Sequence, residues 1–228
     1  GFTRGLSPAT LLWDLPSGNL SDQAASEQRV YQGPVRLRTA LANDSLVTAT
    51  QVFNQMGAGL VQQTMAPFGF DIPADSLKAL IETENRYSVI QIAQSYGVLA
   101  ARGSLNGQVS PEDRSASATL AVRGLDGHVY ADWNSSASSE QVVSPQLAYL
   151  LTDVLNTNSL VGSGSSTGSV LGRPAAFKSG QTTDGSETWA VGYTPNRVVV
   201  VWMGADLPGK QAVAQQPATG LWSAIMRT

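Results

Sequence analysis

Lys178-Ser179-Gly180-Gln181-Thr182 sets an ammonium group beside hydroxyls, an amide and a glycine, close to the apolar run Trp189-Ala190-Val191-Gly192-Tyr193. Residues of these types could form one wall of a site for covalent serine chemistry, where a hydroxyl attacks a carbonyl and fixed donors hold the developing charge. The bare triplet is common, and its lysine is usually a solvated charge. Other nucleophilic chemistry is tightly restricted. There is no cysteine, which removes thiolate catalysis, disulfides and cysteine-based zinc sites. The single histidine, His128, is the only one a Ser-His-Asp arrangement could use, and zinc held by two histidines is impossible, so no metal and no cofactor is expected.

His128 also sits badly for catalysis. It follows Asp126-Gly127 inside Leu120 to Trp133, where alternating apolar residues flank a dipeptide that favours a tight hairpin. An exposed hairpin histidine is the expectation. The whole composition narrows the field further. At 228 residues and 42% hydrophobic content the chain can bury one sizeable core, and a single domain over 1–228 is predicted. Charged residues make up 14% and the net charge is -3, which gives no basic field for nucleic acid. No run of about 18 apolar residues is present and Gly1-Phe2-Thr3-Arg4 does not open a signal peptide, so the residues given read as soluble.

The elements that must position Lys178 read as follows. Leu11 to Gly18 is a short apolar stretch closed by Pro16 and Gly18, and polar loop follows to Gln32. Gly33-Pro34 marks a helix start, with Val35, Leu37, Leu41, Val47, Val52, Phe53 and Met56 at helical spacing before Gly57. Short helices are predicted over Leu60 to Met65 and Pro73 to Ile81. Ser88 to Arg102 carries the clearest helical period, with Ser88 as N-cap and Gly103 beyond its end. Ser104 to Arg114 reads as turns and Asn134 to Glu140 as a polar tip. Ser144-Pro145 opens a helix whose stripe is Leu147, Leu150, Leu151, Val154 and Leu155, with Asp153 facing away. The Ser/Gly-rich stretch from Asn156 to Val170 is either a mobile loop beside the site or a plain linker.

Beyond it the period becomes extended. Arg173 to Gln181, Thr188 to Thr194 and Val198 to Met203 read as consecutive antiparallel strands with Lys178 and Ser179 on the first. A last helix from Pro217 to Met226, with Leu221, Trp222, Ile225 and Met226, should cover one face of that sheet. Glu187 and Asp184 read as turn and solvent residues rather than an acid pair.

Four of these segments, in this order, resemble the transpeptidase domain of class A penicillin-binding proteins, including the 1C type. Tyr31 to Asn43 is similar to Y-x-G-P-V-x-L-R-x-A-L-A-x-S. Ser88 to Gly103 resembles the family's T-P-L-x-L-A-x-A-Y-A-x-L-A-N-G-G helix, and Val143 to Leu155 its S-P-x-x-A-Y-L-L-T-D-V-L helix. Gly172 to Thr182 stands where the family has G-R-P-x-A-G-K-T-G-T-T. The resemblance implies an α/β (α+β) fold of the penicillin-binding protein and β-lactamase type, with a mostly antiparallel sheet between helical layers and its first helix and strands missing. It implies a serine of S-x-x-K that attacks the penultimate D-Ala carbonyl, an S-x-N element in proton transfer, and K-[ST]-G holding the terminal carboxylate. Lys178, Ser179, Gly180, Gln181 and Thr182 are then the substrate-binding candidates, with Gln181 in place of the usual threonine.

Two of the three signatures depart from the family. The residues three before Lys78, Lys178 and Lys210 are Asp75, Ala175 and Leu207, so no S-x-x-K exists in these 228 residues. The S-x-N position falls on Asp44, Ser45 and Leu46, which puts a carboxylate and an alkyl group where a hydroxyl and an amide belong. No catalytic residue is therefore assigned. The resemblance implies a peptidoglycan-synthesis domain outside the cytoplasmic membrane, anchored by a segment not present here, and the two departures make it catalytically degenerate in these residues. Its partners would be a stem peptide or a β-lactam, with weak or absent binding, and other cell-wall synthesis proteins. Two alternatives stay open: a fragment of an active D-alanyl-D-alanine transpeptidase whose nucleophile helix lies upstream, and a non-catalytic interaction module using the groove or the Ser/Gly-rich loop.

Overall fold

A computed structural model describes residues 1–16, 31–70, 87–107, 121–132, 138–158, 171, 173–182, 185–204 and 215–228. The helix expected over Pro73 to Ile81, most of the Ser/Gly-rich stretch, Asp184, Lys78 and Lys210 lie outside these residues.

Strands β7 (Ala176–Gln181), β8 (Glu187–Thr194) and β9 (Arg197–Gly204) form an antiparallel sheet in the order β7-β8-β9. Lys178 pairs with Val191, and Val191 with Val200. Because side chains alternate along a strand, the sheet has two apolar faces to cover. Helix α6 (Gln215–Arg227) covers one, burying Ala218, Trp222 and Met226 against Phe177, Ala190, Val199 and Val201. Trp222 is 0% exposed and its ring centroid lies 4.6 Å from that of Phe177. Of the four apolar residues expected to dock this helix, Trp222 and Met226 do so, while Leu221 and Ile225 face out, since four positions at 221, 222, 225 and 226 exceed one narrow stripe. Gly192 makes the close approach possible: a Cβ there would meet the Ala176 carbonyl oxygen at 2.4 Å and the Trp222 ring at 2.5 Å.

The other face carries Ala176, Tyr193 and Val198, packed with Leu155, Leu41, Tyr96 and Leu99. Helices α4 (Val89–Ala100) and α5 (Pro145–Asn158) supply most of that layer, and Leu41 reaches it from a short helix over Leu37–Ala42. Helix α4 begins with a capping box: Ser88 Oγ accepts from the Gln91 N–H at 3.1 Å, and the Ser88 N–H donates to Gln91 Oε1 at 2.9 Å. Asp153 of α5 faces away from the apolar stripe, as expected, with its side chain 40% exposed. It pairs with Arg38, which ties α5 to helix α1 (Leu37–Ala42).

Three local readings are corrected. Gly33–Arg36 is strand β2, paired antiparallel with β1 (Leu11–Asp14), and the helix starts only at Leu37. The helical period was misleading because Val35 docks with Leu12 from an extended backbone. Second, the single helix expected up to Met56 breaks at Asn43–Ser45 into α1 and α2 (Leu46–Met56). Third, Ser104–Gly107 and Ser138–Gln141, expected as turns and a polar tip, are strands β3 and β6 paired with each other. Their polar sequences hide the pairing, which Leu105 alone anchors in the core. Helix α3 (Ala58–Met65) ends before Pro67 as expected. The Asp126-Gly127 hairpin also forms, between β4 (Ala121–Arg123) and β5 (Val129–Asp132), with His128 exposed and its ring edge-on to Tyr130.

Candidate functional site

Lys178 lies in the middle of β7, on the face covered by α4 and α5. The break between α1 and α2 brings Asn43, Asp44 and Ser45 towards it across 134 residues of sequence. The Lys178 ammonium donates to Asp44 Oδ1 in an ion pair and to its neighbour's carbonyl, Ser179 O, at 3.0 Å. The lysine side chain is 17% exposed and the aspartate 58%, so the pair sits at the rim of the site with the ammonium largely inside.

The turn that carries Asp44 is built for it. Asp44 has φ 52°, in the left-handed region that Asp and Asn tolerate better than most residues. Its neighbour Ser45 is buried, donates its N–H to the Ala40 carbonyl at 3.0 Å and its hydroxyl to Asp14 Oδ1 at 3.4 Å. Asp14 is itself buried and accepts from the Gln32 N–H at 3.2 Å. Ser45 is thus committed to holding the turn, while Leu46 starts α2 as an exposed alkyl group. Asp14 was missed from the sequence, although a signal was there: in Leu11-Leu12-Trp13-Asp14 alternation puts Asp14 on the inward side with Leu12.

The other substrate-binding candidates have different surroundings. Ser179 and Gly180 are half-buried on β7, and a Cβ at Gly180 would meet nothing within 4 Å. Gln181 and Thr182 are exposed. Thr182 closes the β7–β8 turn, with its N–H donating to the Glu187 carbonyl at 3.0 Å and its Oγ1 accepting from the Glu187 N–H at 3.0 Å. Glu187 is the first residue of β8 and accepts from Trp202 Nε1 at 3.0 Å, which makes it a strand-end anchor.

Two tyrosines, Tyr193 of β8 and Tyr96 of α4, pack where the helical layer covers this sheet face, with ring centroids 6.2 Å apart. Burial, followed by repulsion from Tyr193 where that phenol ionises and by the Asp44 carboxylate, pushes the Tyr96 hydroxyl up to about 12. Burial also pushes Tyr193 up to about 12, although its hydrogen bond with Thr152 Oγ1, at 2.8 Å, works the other way. Both are neutral at physiological pH. Among the described residues no group of three or more His, Asp or Glu could hold a metal ion.

On the other side of Asp44 an apolar cavity of about 490 Å³ opens between α1, α2 and β1, lined by Leu37, Leu41, Leu46, Val52, Phe53 and Leu151 among others. Asp44, Ser45 and Thr48 are its polar margin. The whole arrangement can hold charge at Lys178, but the turn presents a carboxylate and an alkyl chain there, not a hydroxyl and an amide.

The family described as the penicillin binding protein transpeptidase domain matches residues 12–227, nearly the entire chain. This chain belongs to that family. The transpeptidase domain is 28% identical to penicillin-binding protein 1A of Clostridium acetobutylicum over 86% of this chain and 24% of that protein. It is 26% identical to penicillin-binding protein 1A of Neisseria gonorrhoeae over 99% of this chain and 29% of the relative. The chain therefore spans about a quarter of the length of these relatives. Its fold is shared with penicillin-binding protein 1A from Haemophilus influenzae, with TM-score 0.73, 19% identity and coverage of 98% of this chain and 39% of that one. An imipenem acyl-enzyme complex of penicillin-binding protein A from M. tuberculosis gives TM-score 0.71 at 17% identity, covering 99% and 57%. The mixed helix and antiparallel-sheet architecture expected from the sequence is the one these transpeptidase structures have.

Proposed function

We propose that residues 1–228 form one transpeptidase-type domain of a peptidoglycan-synthesis protein whose site no longer carries out acyl transfer. The observation that carries this reading is the Lys178–Asp44 ion pair. Acyl transfer to serine needs a hydroxyl nucleophile, a base to take its proton and donors left free for the developing oxyanion. Here the turn facing Lys178 gives a carboxylate, a serine hydroxyl committed to Asp14 and a leucine. Lys178, Ser179 and Gly180 remain as the wall against which a stem peptide or β-lactam would lie, and Gln181 and Thr182 form its outer end. The protein works on the outer side of the cytoplasmic membrane, held there by sequence outside these residues. Within the described residues no helix is long and apolar enough to cross a membrane.

The apolar cavity favours a second reading. An opening of about 490 Å³ lined by leucine, valine and phenylalanine is costly to leave in water. An apolar helix from outside residues 1–228 would fill it and could bring a nucleophile next to Asp44. Intact mass of the full-length protein after incubation with a penicillin separates the two. No adduct is expected; a single acyl adduct on a serine would overturn the degenerate reading in favour of an active transpeptidase of which these residues are a part.

A further inference from the structure

We propose that Asp44 is a specificity-determining residue: its carboxylate occupies Lys178 as an internal counter-ion, so the site discriminates against ligands that present a carboxylate there. The inference rests on reading Lys178 as the anion-holding group of a transpeptidase-type site. Three observations carry it. The Asp44 carboxylate makes its ion pair with the same ammonium that an incoming carboxylate would need. Lys178 has its second bond on the Ser179 carbonyl, so the remaining donor direction is the only one left for a ligand. And the turn is fixed: the left-handed backbone at Asp44, the Ser45 N–H on Ala40 and the Ser45 hydroxyl on buried Asp14 hold the backbone from which the carboxylate reaches the lysine.

A tethered carboxylate has a high effective concentration at its target, whereas a free one must be supplied in solution. An external ligand binds only in the fraction of time that the pair is open, and its apparent affinity falls by that fraction. If the pair is closed nine times in ten, the loss is about 10-fold. The exposed side of Asp44 adds a like-charge repulsion to any second carboxylate that approaches. Ligands with a neutral amide or ester at that end escape both effects.

Asp44→Asn is the informative change, because asparagine tolerates the same left-handed backbone and keeps an oxygen facing Lys178 while losing the charge. In the full-length protein, affinities for N-acetyl-D-alanyl-D-alanine and for its C-terminal amide would be measured by ligand-observed NMR. The wild type is expected to bind the acid no better than the amide. D44N is expected to gain about 10-fold for the acid and nothing for the amide, and D44N/K178Q to lose the gain. D44S, which removes the carboxylate with a different side chain, should repeat the D44N result. Equal acid affinity in wild type and D44N, an equal gain for acid and amide, or a gain that survives K178Q would overturn the proposal. A penicillin adduct on the wild type would instead count against the loss of acyl transfer, and leaves the acid-to-amide ratio as a separate reading.

Discussion

Lys178 pairs with Asp44, and Ser45, the next residue in the turn, bonds buried Asp14 of β1; Tyr193 lies on the same sheet face as Lys178 and Tyr96 in the helical layer over it. Tyr96 and Tyr193 give this cluster a measurable pH signature. Both are held near 12 in the folded protein, against about 10 in an unfolded chain, so their contribution is fully present below pH 10. As pH rises from about 10 to about 12 the unfolded state loses its protons first, and stability falls. Urea unfolding across this range should show the fall, worth at most roughly 2–3 kcal/mol per tyrosine, and Tyr96→Phe should flatten it. A slope unchanged by Y96F would place the alkaline transition elsewhere. At this level the sequence was informative about identity and silent about pairing: Asp44 could be named as the residue in the S-x-N serine position, but its ammonium partner sits 134 residues away and was not foreseen.

Elements with local signals were legible. Helix α4 follows from its 3.6-residue period and Ser88, and the cap it makes is the reciprocal Ser88–Gln91 pair. Ser88→Ala should lower stability by about 1 kcal/mol in chemical denaturation. The three strands β7 to β9 were legible from β-branched and aromatic runs separated by Pro195-Asn196, and their sheet depends on a glycine that the pattern does not explain. Gly192→Ala brings a methyl into the Ala176 carbonyl and the Trp222 ring, and should cost more than about 2 kcal/mol or prevent folding, read as loss of soluble expression or a lowered Tm. A neutral G192A would mean that α6 can slide on the sheet. Strands β2, β3 and β6 were not legible, because four-residue polar or Pro-containing strands have no period of their own and exist only through a partner far along the chain.

For the molecule as a whole, the apolar cavity beside Asp44 is the feature that a closed, self-sufficient core would not leave. Residues 1–228 expressed alone should bind an anilinonaphthalene sulfonate dye there, and Ala49→Trp, at an exposed position on the cavity wall, should lower that fluorescence by filling the space. Dye binding indifferent to A49W would put the exposed apolar surface somewhere else. The sequence by itself determined the family, the helix and strand that frame the site, and the exposed hairpin position of His128, because these depend on residue types and on periods shorter than a single element. Only the tertiary structure decided that Asp44 neutralises Lys178, that Asp14 and Ser45 hold the turn, and that α2 leaves an open apolar wall. Each of these is a contact between segments far apart in sequence, set by how the helices pack on the sheet, and no local pattern encodes it.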